Sequence, residues 1–259
     1  MTKSLKKYLL LIATVILSVT LAACSMGAST EQIVNKSVES SKNIKSTDFV
    51  ATNSSEILVG EQTQTVENTV SGSLIIDPLT IKATTDVKAQ GQSQTLELYI
   101  KDGTAYAKST GQNEWVKSSS NSITAQFENL KKIANSEQIL EFYKKIAKDF
   151  KKTEENGNYV LTYSGTDNSK FKEIITAVLN STRNDDEQED LYKDIDPKEL
   201  QIKYVVTKDF TPVRSETKFS FSANNLTFIG TINTDYSKIN SVNEVSLPDE
   251  TKNAVEVTG

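Results

Sequence analysis

The stretch Thr95-Leu96-Glu97-Leu98-Tyr99-Ile100-Lys101-Asp102-Gly103-Thr104-Ala105-Tyr106-Ala107-Lys108 decides the fold. Leu96, Leu98 and Ile100 fall on one side of an extended chain, and Thr95, Glu97 and Tyr99 on the other. A period of two is the mark of a half-buried strand, because successive side chains point to opposite faces. Asp102-Gly103 is a hairpin turn signal, and Thr104 to Lys108 supplies the returning strand.

The same period runs outward in both directions. Upstream, Glu56 to Val59, Thr65 to Val70, Leu74 to Ile76 and Ile81 to Val87 read as strands; downstream, Gly111 to Asn113 turns into Glu114-Trp115-Val116-Lys117. Threonine and valine dominate, as a pleated half-buried surface favours. A second meander follows later. Asn158 to Ser164 is one strand, Leu200 to Thr207 the next, and Val213 to Ser222 returns with Thr217, Phe219 and Phe221 on one face. Leu226 to Tyr236 closes it, with Leu226, Phe228, Ile232 and Tyr236 on one face and Gly230 among them.

Helical spacing interrupts the sheet. Thr30 is the expected N-cap of a first helix, whose stripe of Ile33, Val34, Val38 and Ile44 runs through Lys45. In Ser136 to Phe150, Ile139, Tyr143, Ile146, Ala147 and Phe150 share one helical face. Ile123, Phe127, Leu130 and Ile133 suggest a helix or turn before it, and Ser169 to Arg183 repeats Phe171, Ile174, Ile175, Val178 and Leu179 at helical spacing. The economical arrangement is α+β: one large curved antiparallel sheet with helices over its concave face. The Ile139, Tyr143, Ile146, Phe150 stripe then needs an apolar wall, and Leu96, Leu98, Ile100, Phe219 and Phe221 are the expected one. A lipid-sized space between stripe and wall would make these residues ligand-binding.

The N-terminus has a separate logic. Lys3, Lys6 and Lys7 precede an uncharged run of 13 residues, Leu9 to Leu21, and Leu21-Ala22-Ala23-Cys24 follows. Basic, apolar and small-residue regions in this order are a signal peptide. The run is short of the ~20 residues a spanning helix needs. Residues 1–23 are therefore expected to be cleaved between Ala23 and Cys24, residues 24–30 to form a tether, and residues 31–259 to form a single domain. An alternative assigns a role to the discarded piece, whose Val15 to Ala23 segment has the apolar character of a peptide pheromone.

Composition narrows the chemistry. The chain has no histidine and one cysteine. Ser-His-Asp and Cys-His pairs and histidine-ligated zinc are thus excluded. Removing Lys3, Lys6 and Lys7 from 29 basic groups leaves 26 against 34 acidic ones, a mature net charge of −8. Such a body is a poor partner for nucleic acid, whose binding rests on lysine and arginine neutralising phosphates. Ser-x-x-Lys at Ser169–Lys172 and Ser215–Lys218 lacks the companion Lys-Thr-Gly of penicillin-binding enzymes. The acidic run from Asp185 to Asp196 lacks the glycine of a calcium loop and reads as a solvated loop, with a weak calcium site as the alternative. No enzyme, cofactor or metal is expected.

Taken with the lipobox-like Leu21-Ala22-Ala23-Cys24, the Tyr99 to Lys108 hairpin, Trp115-Val116-Lys117 and the terminal Leu247-Pro248-Asp249-Glu250, the pattern resembles bacterial lipoproteins with a LolA-like or LppX/LprG-like fold. It is most similar to uncharacterised lipoproteins of low-GC Gram-positive bacteria. The resemblance implies a half-open β-barrel, a diacylglyceryl group on Cys24, residence on the extracytoplasmic face of the cell membrane, and a lipid or lipoprotein ligand held between sheet and helices. A monomer is expected. The other reading is an envelope structural, interaction or sensor lipoprotein with a filled core.

Overall fold

Strand β1 (Ser46–Val59) is the hub of the architecture, because it joins the two meanders into one sheet. The structure is a computed structural model describing residues 27–60, 62–118, 137–167, 169–174, 195–223 and 226–257. On one side β1 pairs with β2 (Gln62–Ile75), followed by β3 (Thr80–Ala89), β4 (Gln92–Lys101), β5 (Thr104–Ser109) and β6 (Val116–Ser118). On its other side lies β11 (Leu226–Ser237), followed by β10 (Pro212–Ala223), β9 (Asp196–Val206), β8 (Asn158–Gly165) and β7 (Lys151–Glu155). All these neighbours are antiparallel; only the terminal β12 (Val255–Glu256) runs parallel, beside β6. The result is one 12-stranded, antiparallel-dominated sheet.

Several strands are longer than their sequence signals. Glu56 to Val59 is only the end of a 14-residue β1, and Thr65–Val70 and Leu74–Ile76 belong mainly to one continuous β2. Polar residues such as Asn53, Ser54 and Thr69 weaken the alternation, while pairing on both sides of β1 holds the strand extended. Lys151–Glu155 is a further strand that the alternation pattern does not announce; it pairs with β8 across the Asn156-Gly157 turn, both residues at positive φ. The charges of Lys151, Lys152, Glu154 and Glu155 suit an edge strand.

Register fixes which side chains share a face. Thr47, Leu74, Ile81, Ile100 and Ala105 lie in one row, and Ala51, Val70, Thr85 and Leu96 in another on the same side. Ile57, Phe228 and Phe221 continue that side across the second meander. Across β1–β6 and β8–β11 this side carries no Asp, Glu, Lys or Arg, apart from Lys198 at the bulge between β9 and β10. Asp48, Glu67, Lys82, Asp86 and Glu97 all lie on the other side. The sheet thus has an uncharged face and a charged face.

Helix α1 (Thr30–Ser41) is capped one residue earlier than the expected Thr30. Ser29 is the N-cap and closes a reciprocal capping box with Gln32. The helix stops at Ser41 rather than Lys45, since Ser46 already starts β1. Helix α2 (Glu137–Lys145) is also shorter than its stripe, and Ile146 to Phe150 continue as a turn. Helical backbone recurs at residues 169–174. Buried Ile33, Val34 and Val38, with Phe142, Tyr143 and Ile146, form one core with Leu161, Tyr204 and Phe221 of the uncharged face. Both helices therefore pack over the β8–β10 part of the sheet. No described helix is long and apolar enough to cross a membrane.

The C-terminal segment packs on the charged face instead. Val245 and Ala254 bury against Tyr99 and Trp115, with Leu247 and Tyr106 beside them. The Val255 and Val257 amides donate to the Trp115 and Lys117 carbonyls and tie this segment to β6.

Candidate functional site

The uncharged face divides into a packed half and a partly open half. The packed half is aromatic. Tyr143 lies 5.1 Å from Tyr204 and 6.1 Å from Phe150, centroid to centroid, and Phe150 meets the Tyr163 ring edge-on at 6.3 Å. Phe221 stacks on Phe228 at 4.8 Å and meets Phe171 at 5.9 Å, with Phe219 on its other side at 6.2 Å. Ile146 is fully buried here. Of the expected ligand-binding set, Tyr143, Ile146, Phe150, Phe219 and Phe221 thus come together, and they do so in contact. The space expected between the α2 stripe and Phe221 is filled by side chains. The side chain of Ile139 lies outside the described residues.

Leu96, Leu98 and Ile100 share the same face but not the same core. Ile100 is buried with Ala105, Ile81 and Leu98 in a separate cluster. Between β4 and β10 stand β3, β2, β1 and β11, so the two parts of the expected wall are five strand spacings, roughly 24 Å, apart. Alternation alone cannot see this, because it assigns a face but not a position along the sheet.

The open half lies between these cores. Leu96 is 39 %, Val66 41 % and Val59 46 % exposed, and all three sit on the uncharged face. Asn68, between them in β2 and paired with Asn53, has a buried Oδ1 without a hydrogen-bond partner. That group was not singled out in the sequence; its place in the β1–β2 register is what reveals it. At the adjoining hairpin ends, Thr63 to Thr65, Glu67 and Lys88 to Gly91 line a concavity of about 400 Å³.

A buried hydroxyl network anchors α1 and α2 to the sheet. Ser37 and Tyr204 hydrogen-bond through their hydroxyls, and Tyr143 is hydrogen-bonded to Thr217. Burial pushes the Tyr204 phenol up to about 12 and those of Tyr143 and Tyr236 upward as well. These phenols stay protonated at neutral pH.

The other sequence candidates separate. Ser215 lies on the uncharged face and Lys218 on the charged one, so they form no dyad. The Ser169 hydroxyl donates to Asp167 at 2.7 Å at the start of its helical turn. Of the acidic run, residues 185–194 lie outside the described residues, whereas Asp196 opens β9 and pairs with Lys198. Among the described residues no group of three or more His, Cys, Asp or Glu is placed to hold a metal. Cys24 and its lipobox, and Ile123 to Ile133, also lie outside the described residues.

Solved structures similar to this chain include two mycobacterial proteins, of which LppX is a lipoprotein. LppX of Mycobacterium tuberculosis shares 10% identity at a TM-score of 0.43, covering 84% of this chain and 98% of its own. LprF of Mycobacterium bovis shares 15% at 0.42, covering 85% and 96%. A LolA superfamily protein of Nitrosomonas europaea shares 12% at 0.22, covering 87% and 97%. No curated protein matches the chain. Residues 29–256 match the Family of unknown function (DUF6612), and the chain belongs to that family.

Proposed function

We propose that this chain is a lipid-anchored extracytoplasmic binding protein, held by acyl chains on Cys24, that carries a hydrophobic ligand without catalysis. The observation that supports the reading is the charge segregation of the sheet. An ordinary antiparallel sheet with one solvated face places its polar residues there. Here the face that bears exposed Val59, Val66 and Leu96 is the uncharged one. Val59, Val66 and Leu96 stand on separate register rows, and a ligand lying along this uncharged face would cover all three without meeting a charge. The ligand therefore belongs over β1–β4 rather than between α2 and β10. Each square ångström of apolar surface it covers contributes about 25 cal/mol.

A second reading has its own support. The α2 stripe packs directly on Leu161, Tyr204 and Phe221, as in a plain core. A filled core throughout would make the protein an envelope interaction or sensor lipoprotein. The deciding experiment is extraction of the lipoprotein from its source membrane, followed by mass spectrometry of co-purifying lipid and titration with a fluorescent fatty acid. Bound lipid, displaced by the probe and weakened by Leu96→Glu, is the expected result. Wild-type protein with neither lipid nor probe binding would leave the carrier reading without support.

A further inference from the structure

The end of the body nearest Cys24 carries a patch of a different kind from the acidic remainder. Ala28 follows Cys24 by four residues, a reach of about 14 Å when extended. The Ala28 carbonyl accepts a 2.8 Å hydrogen bond from Lys152 Nζ in β7. Lys152 also stands 6.0 Å from the Tyr159 ring centre, and Lys208 stands over the same ring at 3.9 Å. Tyr159 stacks on Phe210 at 6.0 Å and 19°, and Lys36 lies 4.5 Å above Phe210. Three lysines from three elements thus converge on one pair of stacked rings, beside the tether.

Phe210 is only partly buried, and its φ of 66° is one that bulky side chains rarely adopt. The β9–β10 turn holds it there through the Phe210 amide, which donates to the Thr207 carbonyl at 3.0 Å. Beside these rings stand Lys36, Lys148, Lys152 and Lys208, with the acids Glu31, Glu154 and Asp209. Lys148 reaches Glu31 at 3.6 Å with 79% of its side chain exposed, and Lys208 reaches Glu154 at 2.7 Å. The patch is locally positive on a body of net charge −8.

We propose that this lysine and aromatic patch, Phe210 with Lys36, Lys152 and Lys208, rests on the headgroups of an anionic bilayer and sets the orientation of the body. It depends on the reading that Cys24 carries acyl chains. The chemistry fits: aromatic rings with a polar edge settle at headgroup depth, and lysines near an anionic leaflet are attracted to it within about a Debye length. An acidic body on a short tether would otherwise be repelled from the same surface. The patch turns one end of the body toward the bilayer and leaves the sheet standing away from it.

The test uses the lipidated mature protein in vesicles of phosphatidylcholine alone or with phosphatidylglycerol. Flotation reports anchoring, and amine acetylation followed by mass spectrometry reports access to each lysine. In phosphatidylglycerol vesicles, acetylation of Lys36, Lys152 and Lys208 is expected to slow about fivefold. The control lysines Lys82 and Lys88, exposed on β3, should be unaffected. The slowing should vanish in about 0.5 M salt, where screening is short-ranged. Flotation with equal acetylation in both vesicle types, or slowing that ignores phosphatidylglycerol, overturns the patch and spares the anchor. A protein that does not float at all removes the anchor and the patch with it.

Discussion

Gly230 of β11 lies directly beneath the ring of Phe219 in β10, its register partner: a Cβ added to Gly230 would stand 2.2 Å from Phe219 Cζ. The glycine gives the ring its seat on the uncharged face, where Phe219 then stacks on Phe221. Gly230→Ala must push this ring aside. Overpacking of this kind costs about 1–3 kcal/mol. Urea unfolding should show that loss, and Phe219→Ala in the Gly230→Ala background should restore part of it. Additive losses would show that ring and glycine are independent.

Gly72 offers a stricter case of the same geometry. A Cβ there would stand 1.9 Å from the backbone carbonyl oxygen of Lys82, which cannot rotate away as a ring can. Gly72→Ala should therefore separate β2 from β3 locally and cost more than Gly230→Ala. Hydrogen exchange at Ser73 and Lys82 is the direct measurement. Unchanged protection at both amides would contradict this account.

Ile146 and Leu96 provide the contrast between packed and open halves. Ile146 is fully buried, so Ile146→Ala should lower stability by about 2–5 kcal/mol. Leu96 is 39% exposed, and Leu96→Ala should leave the unfolding midpoint nearly unchanged while weakening fatty-acid probe binding. Comparable destabilisation by both substitutions would mean that Leu96 belongs to a core.

Lipidation at Cys24 is tested by substitution. Two acyl chains anchor a protein stably, whereas one chain holds it only marginally. The wild-type chain should partition into the detergent phase and Cys24→Ala into the aqueous phase. Equal partitioning would refute attachment through this cysteine.

Much of this architecture is legible in the chain because a strand announces its own faces. Leu96, Leu98 and Ile100 alternate clearly, and so do Phe219 and Phe221, and each set lies on the face expected of it. What alternation omits is long-range order. Nothing local tells that β1 pairs with β11, at separations of 167 to 189 residues, and so nothing local tells that Leu96 and Phe221 are on opposite flanks. The charge segregation was only partly visible for the same reason. Asp48, Lys82 and Glu97 become one face only once the register rows are known. The helix boundaries failed differently: a stripe such as Tyr143 to Phe150 keeps its apolar spacing through a turn, so periodicity overruns the helix.

The Ser37–Tyr204 pair gives the last prediction, and its sign follows from burial. The Tyr204 phenol is 4% exposed, and loss of water raises it from 10.0 to about 12. A phenol protonated longer in the folded chain contributes stability that is intact below pH 10.0 and is lost as pH rises towards 12. Each such phenol should steepen the decline by up to about 1.4 kcal/mol per pH unit. Buried Tyr143, also shifted upward, adds to the slope. Lysines lose their charge in the same range, so the informative comparison is between wild type and Tyr204→Phe. At neutral pH that change should cost about 1–3 kcal/mol, because it strands the buried Ser37 hydroxyl. Above pH 10 the gap should narrow, since the variant has no phenol to ionise at this position. Ser37→Ala added to Tyr204→Phe should cost less than the two separately, as expected of residues in one hydrogen bond. Parallel stability curves for wild type and Tyr204→Phe between pH 9 and 12 would show that the phenol ionises no later in the folded chain than in the unfolded one.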